Sequence, residues 1–231
     1  GGLVAASSFA TSRLLLPASD EATMERFQSP EPLSHLTQWL RGWSRGIALL
    51  GLLAFCFTLA EGAALDWAAV YVDDSLQGTA ALGAVGLGVF LTAVTAGRLL
   101  GDHLIARFGP VLMFRIGVLT AGLGFGVALL IDSTVAGIVG LGLLGAGISY
   151  VLPLAISAGS NLPGEEAATA AARVSTLAYL GSFAGPALIG ALASSFGLAR
   201  ALALPALLVA ITAAGAEAVR PAGHVGRAGA S

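Results

Sequence analysis

The sequence predicts an all-α membrane protein built as a bundle of six spanning helices, and three observations carry that expectation. Hydrophobic residues make up 56% of the chain and charged residues 10%, against roughly 25% charged residues in an ordinary soluble domain. Mean hydropathy is +0.88. The apolar residues also fall into runs, each about as long as a helix that crosses a hydrocarbon layer of ~30 Å at 1.5 Å per residue. Short polar joints separate the runs. The most prominent is a charged island from Gly97 to Gly109, set between the charge-free stretches Thr79 to Ala96 and Ile116 to Ile131.

Composition also excludes several classes. The formal net charge is -2 and all eleven basic residues are Arg, with no clustered basic face, so nucleic acid is not an expected partner. Cys56 is the single cysteine. It has no disulfide or metal-ligand mate and reads as a small packing residue. His35, His103 and His224 are scattered through the joints and ends, and the chain contains neither HExxH nor a phosphate-binding Gly-Lys-Ser/Thr. No catalytic residue, metal or cofactor is expected, and neither an enzyme nor an ATP-driven pump is indicated.

Residues 1–16 are apolar but broken by Arg13 and too short to span. With Gly1 in place of Met and no basic leader, they read as the remnant of a preceding transmembrane helix in a truncated chain. Residues 17–44 carry Pro17, Pro30, Pro32, Asp20, Glu21, Glu25, Arg26 and Glu31 and read as a solvated linker. A short amphipathic helix is expected there, ahead of Trp39 and Trp43, whose rings suit a membrane-water boundary. The bundle occupies residues 45–219, with helices expected at about Gly46 to Val72, Thr79 to Leu100, Pro110 to Ile131, Val135 to Ala158, Ala167 to Ser195 and Leu198 to Val219. Residues 220–231 form a tail. The island is expected to be a tight turn between the second and third helices, at the membrane surface.

Orientation follows from the Arg count, because short cytoplasmic joints retain positive charge. With the linker inside, the cytoplasmic side receives Arg41, Arg45, Arg98, Arg107, Arg115, Arg173, Arg220 and Arg227, and the outer side only Arg200. Linker and C-terminus are then cytoplasmic in a multi-pass protein of the cell membrane. Close helix packing is expected from Gly83, Gly86 and Gly88, from Gly137, Gly140, Gly142, Gly145 and Gly147, and from the pair Gly181 and Gly185 beside Pro186. Pro153, Pro186 and Pro205 fall within the last three runs, where each removes a backbone donor and is expected to bend its helix.

Six helices behind a linker and a helix stub match the second half of a twelve-helix transporter. The island, from Gly97-Arg98-Leu99-Leu100-Gly101-Asp102 on to Arg107-Phe108-Gly109, resembles the second-half loop signature of the major facilitator superfamily, with Gly101 inserted before Asp102 and His103 where a basic residue is usual. Glu61-Gly62-Ala63-Ala64-Leu65-Asp66-Trp67, followed by Val70-Tyr71, resembles the seventh helix of bacterial fucose-permease-like members. Gly181-Ser182-Phe183-Ala184-Gly185-Pro186 is similar to the eleventh. The resemblance implies a six-helix C-terminal half that works with a missing N-terminal half, moving a small, sugar-like solute by alternating access, with a proton as the coupling ion. It also implies that the main proton-linked acids lie in the missing half. The alternative is a non-transporting or regulatory membrane subunit, or a degenerate half-transporter.

Site candidates follow from the cost of charge in lipid, roughly 2.5 to 3.5 kcal/mol per ionised group on insertion scales. Glu61 lies beyond the unbroken apolar run Ile47 to Ala60. It reads either as a carboxylate for substrate or coupling proton, or as a packing group hydrogen-bonded to Tyr71, Tyr150, Tyr179 or a Ser/Thr. Asp66, five residues on, is rotated by about 140° from Glu61 on a helix and is a further substrate or proton candidate, with a structural role beside Trp67 as its other reading. Tyr150, with Ser149 and Pro153, interrupts the fourth run, and Tyr150 and Tyr179 are candidates for stacking on a solute. Gly97, Arg98, Gly101, Asp102, Arg107 and Gly109 form the candidate gating signature, with Asp102 as its carboxylate. Glu165 and Glu166 suit the N-terminus of the fifth helix.

Overall fold

The computed structural model describes residues 43–220. The remnant at 1–16, nearly all of the linker and the tail beyond Arg220 lie outside the described residues. Among those described there is no strand, and six helical segments are long and apolar enough to cross a membrane: Arg45–Ser75, Ala80–Phe108, Pro110–Leu130, Thr134–Ser160, Ala167–Phe196 and Leu198–Val219. The fold class is therefore the one the sequence predicts.

Caps and breakers set the boundaries. The Ser44 side chain accepts a hydrogen bond from the Ile47 amide at 3.2 Å and starts α1, Arg45–Val70. This helix loosens into a π-helical turn at Tyr71–Ser75 before the chain reverses. Thr79 caps α2, Ala80–Phe108, by accepting from the Leu82 amide at 3.3 Å. The break comes at Gly109, whose φ of 83° lies in the left-handed region, and Pro110 opens α3, Pro110–Leu130.

The expected surface turn at Gly97 to Gly109 is thereby corrected. All of the island except Gly109 is the last part of a continuous 29-residue helix. Charge does not end a helix; loss of backbone geometry does, and Leu99, Leu100, Leu104 and Ile105 are apolar residues that extend one. A single internal Gly101 leaves the ladder closed, as lipid requires.

The fourth and sixth spans are interrupted. Helix α4, Thr134–Ile148, gives way at Ser149 and Tyr150 to α5, Val151–Ser160. Pro153 falls in the first turn of α5, where its missing amide has no intrahelical partner to lose. Pro205 sits in the same place in α8, Ala203–Ile211, which follows the short α7, Leu198–Ala201, and continues as a 3-10 stretch at Thr212–Val219. By contrast, Pro186 lies inside α6, Ala167–Phe196, without ending it.

Helix α1 is the centre of the bundle. Its apolar window is 72% buried, against 22% for the second and fifth spans. It packs most extensively on α6, and also on α2, α5 and α8, while α4 is held between α2 and α3. At the α1–α6 contact a Cβ on Gly62 would meet the Ser182 carbonyl at 2.5 Å, and one on Gly181 or Gly185 would strike the Phe55 or Leu59 carbonyl. Thr58 on α1 lies within hydrogen-bonding reach of the Ala178 carbonyl of α6, and the Trp67 indole N–H donates to the Pro186 carbonyl at 3.1 Å. Trp67 is thus a tie between helices. Gly88, grouped above with Gly83 and Gly86, has nothing within 4 Å of an added Cβ and takes no part in packing among the described residues.

Overpacking a closed contact costs about 1 to 3 kcal/mol. Gly185→Val is therefore expected to lower the thermal midpoint of the detergent-solubilised protein, followed by size-exclusion chromatography after heating, while Gly88→Ala leaves it in place. Equal midpoints for the two variants would remove the α1–α6 contact as the bundle's tight seam.

Candidate functional site: an ion pair at a polar cavity

Glu61 stands about 24 Å along α1 from Arg45, and Arg98 about 15 Å short of the Phe108 end of α2, so both lie within spans. An Arg98 guanidinium N–H (Nη2) donates to Glu61 Oε1 at 2.9 Å. Arg98 is the more open partner, with 54% of its side chain exposed against 26% for Glu61. Opposite charges within spans are expected to pair, since each alone is costly in a medium that solvates neither. The partner differs from the expected Tyr or Ser/Thr because Arg98 belongs to a helix face, not to a turn.

One turn beyond Arg98 on the same face of α2, Asp102 has no hydrogen-bond or ion-pair partner among the described residues. Both line an open cavity of ≈ 540 Å³ with Ile105, Tyr150, Pro153 and Ser157 among its walls. The wall is shaped by how closely α2 meets the break in the fourth span. A Cβ on Gly97 would strike Ser149 Oγ, and one on Gly101 would meet Tyr150 Cβ at 2.9 Å. The Tyr150 hydroxyl donates to the Met113 carbonyl of α3 at 3.1 Å, which pins the break and occupies that hydroxyl's proton. The cavity therefore offers the Arg98 guanidinium, the Asp102 carboxylate and the Ser157 hydroxyl against otherwise largely apolar walls, with Glu61 bonded to Arg98 behind them. Such a surface binds polar groups; it contains no nucleophile-base arrangement.

The other candidates are dispersed. Asp66 is exposed, without an ion pair or hydrogen bond among the described residues, and Tyr179 is 69% exposed on α6, away from the cavity lining. Arg107 stacks on the neighbouring Phe108 ring at 5.4 Å, and Gly109 makes the turn. Glu165 pairs with buried Arg173 at 3.5 Å, and Glu166 accepts from the Thr169 hydroxyl at 2.7 Å. Cys56 is buried among packed side chains. Sequence reasoning missed Arg98 as the partner of Glu61 and Ser157 as a lining residue. For Arg98 the available signal was its unbroken helical context up to Phe108; for Ser157 there was none.

Six antiparallel membrane-length helices define the class, an α-helical membrane bundle, and comparison with known proteins makes it specific. No protein-family model matches the chain. It is 37% identical over 179 residues to an uncharacterized MFS-type transporter of Yersinia pestis, covering 78% of this chain and 46% of that protein. Identity is 34% over 171 residues with an uncharacterized transporter of Sinorhizobium fredii, covering 73% of this chain and 45% of the relative. The membrane protein MosC of Rhizobium meliloti is 29% identical over 156 residues, covering 68% and 38%. The crystal structure of the E. coli fucose:proton symporter FucP, in a variant form, matches the fold with a TM-score of 0.70 at 22% identity, covering 80% of this chain and 44% of that one. The chain belongs to the major facilitator superfamily, as the C-terminal half of its bundle. It spans about half the length, or less, of the curated relatives it matches.

Tyr150→Phe removes one cross-helix hydrogen bond, worth about 1 kcal/mol. The variant is expected to melt slightly earlier than wild type while keeping its affinity for any solute the cavity takes, measured by ligand-induced thermal shift. A lost affinity at unchanged stability would make the hydroxyl a solute contact instead.

Proposed function

We propose that this chain forms the C-terminal half of a secondary transporter that carries a small, sugar-like solute across the cell membrane by alternating access with a second six-helix bundle, coupled to a proton. The Glu61–Arg98 ion pair, whose Arg98 lines the cavity, carries this reading. A charged pair inside spans, on an open face, is costly in an inert bundle and useful on a solute pathway. The likeness in fold to a fucose:proton symporter supports the solute class, and names of relatives as transporters support the activity. Arg45, Arg107, Arg115, Arg173 and Arg220 lie toward one end of the antiparallel spans and Arg200 toward the other, which supports placing the linker and C-terminus in the cytoplasm.

Within this reading Asp102 serves the cytoplasmic gate. Its carboxylate, free of a partner here, is available to the other half when that side closes, and the contact breaks as the halves rock. Glu61 remains a candidate for solute or coupling-proton binding.

The test is uptake of labelled sugars by proteoliposomes carrying the complete gene product under an inward proton gradient. Gradient-dependent accumulation is expected, and its absence across a panel of hexoses and deoxyhexoses would count against the proposal. In the same assay Asp102→Asn is expected to slow initial uptake several-fold at an unchanged membrane level; unaltered rates would remove the gating role. Uptake that stays fully proton-driven in Glu61→Gln would take Glu61 out of the coupling step.

A further inference from the structure

We infer that the Glu61–Arg98 pair sorts solutes by net charge, accepting uncharged ones and rejecting anions most strongly. The inference rests on the transport reading above and concerns selectivity at the same cavity.

Arg98 is the cavity's single cation among the lining residues, and its guanidinium is already engaged at 2.9 Å by Glu61. A solute carboxylate or phosphate that took Arg98 for itself would leave Glu61 without its partner inside the span. It would also bring a third negative group beside Glu61 and Asp102. Stranding one member of an ion pair away from water is the costly outcome. A cationic solute meets the reverse problem at Glu61, where it displaces Arg98, but Asp102 one turn away can compensate it. A neutral hydroxylated solute avoids both costs. Its hydroxyls accept from the remaining guanidinium N–H groups and donate to the Asp102 carboxylate while the pair stays closed. The expected order is therefore neutral first, cationic second and anionic last. This is selection by an unfavourable alternative as much as by a favourable fit.

The fixed position of the pair makes the effect direct. The Glu61 side chain is the more buried partner, and Gly62 next to it is locked against the Ser182 backbone, so α1 cannot roll to carry the carboxylate elsewhere.

The experiment compares galactose, galacturonate and galactosamine, one ring with three net charges, in the proteoliposome assay with the complete gene product at mildly acidic pH. Uptake is read as a ratio within each variant, which does not depend on how much protein is folded. Wild type is expected to rank galactose, galactosamine, galacturonate. Glu61→Gln frees the guanidinium and is expected to raise the galacturonate-to-galactose ratio about tenfold or more. Arg98→Gln leaves two carboxylates and is expected to raise the galactosamine-to-galactose ratio instead. The exchanged pair, Glu61→Arg with Arg98→Glu, is expected to return the ranking to neutral first. Galactose uptake by wild type, with ratios unmoved in both single variants, leaves the transport reading standing and overturns the inference. A wild type that prefers galacturonate also overturns it. Uptake of none of the three by any variant overturns the inference and the sugar reading together.

Discussion

Lipid gives helices no hydrophobic reason to associate, so this bundle depends on how closely α1 can approach α6. The approach is backbone to backbone. Gly62 faces the Ser182 carbonyl, and Gly181 and Gly185 face the carbonyls of Phe55 and Leu59. Contact this close also brings the Thr58 hydroxyl to the Ala178 carbonyl and the Trp67 indole to the Pro186 carbonyl, so polar ties and small residues reinforce one another. With α1 buried in this seam, the rest of the half-bundle is arranged around it. The second and fifth spans lie at the periphery and are the least buried of the six.

The cavity depends on a second close approach, between α2 and the fourth span. Helix α2 meets the fourth span where that span is broken, and the break sits just ahead of Pro153. Gly97 and Gly101 remove the side chains that would otherwise collide with Ser149 and Tyr150. Tyr150 is fixed from behind by its bond to Met113 on α3. The discontinuity is therefore held in place by its neighbours, and it leaves room beside Arg98 and Asp102 that an unbroken helix with larger residues would fill.

Much of this was legible in the sequence, because hydrophobic length and small-residue spacing act locally. The six spans, the seam at Gly181 and Gly185 and the interruption at Tyr150 are all written in short stretches of residues. What escaped was long-range or misleadingly local. The charges of Gly97 to Gly109 suggested a surface turn, yet only Gly109 has the left-handed backbone that ends the helix. The partner of Glu61 is 37 positions away and depends on the rotation of two helices about their axes, which no local pattern records. Gly88 shows the converse error, since the small-residue composition that makes seams also places glycines where nothing packs.

Continuity of α2 changes what the charged island means. Were it a surface turn, Arg98 would be a solvated anchor whose charge reports only on orientation. As part of a span, the same residue must find a counter-charge within reach of its own helix, and the adjacent α1 supplies Glu61 at 2.9 Å. Asp102, one turn along the same face of α2, places a carboxylate beside that guanidinium on the cavity wall. Orientation still rests on the remaining Arg residues at the helix ends, and these do not need Arg98 to preserve their asymmetry. Arg98 is thus defined by its place on a helix face, paired with Glu61 and lining the cavity, rather than by a turn at the surface.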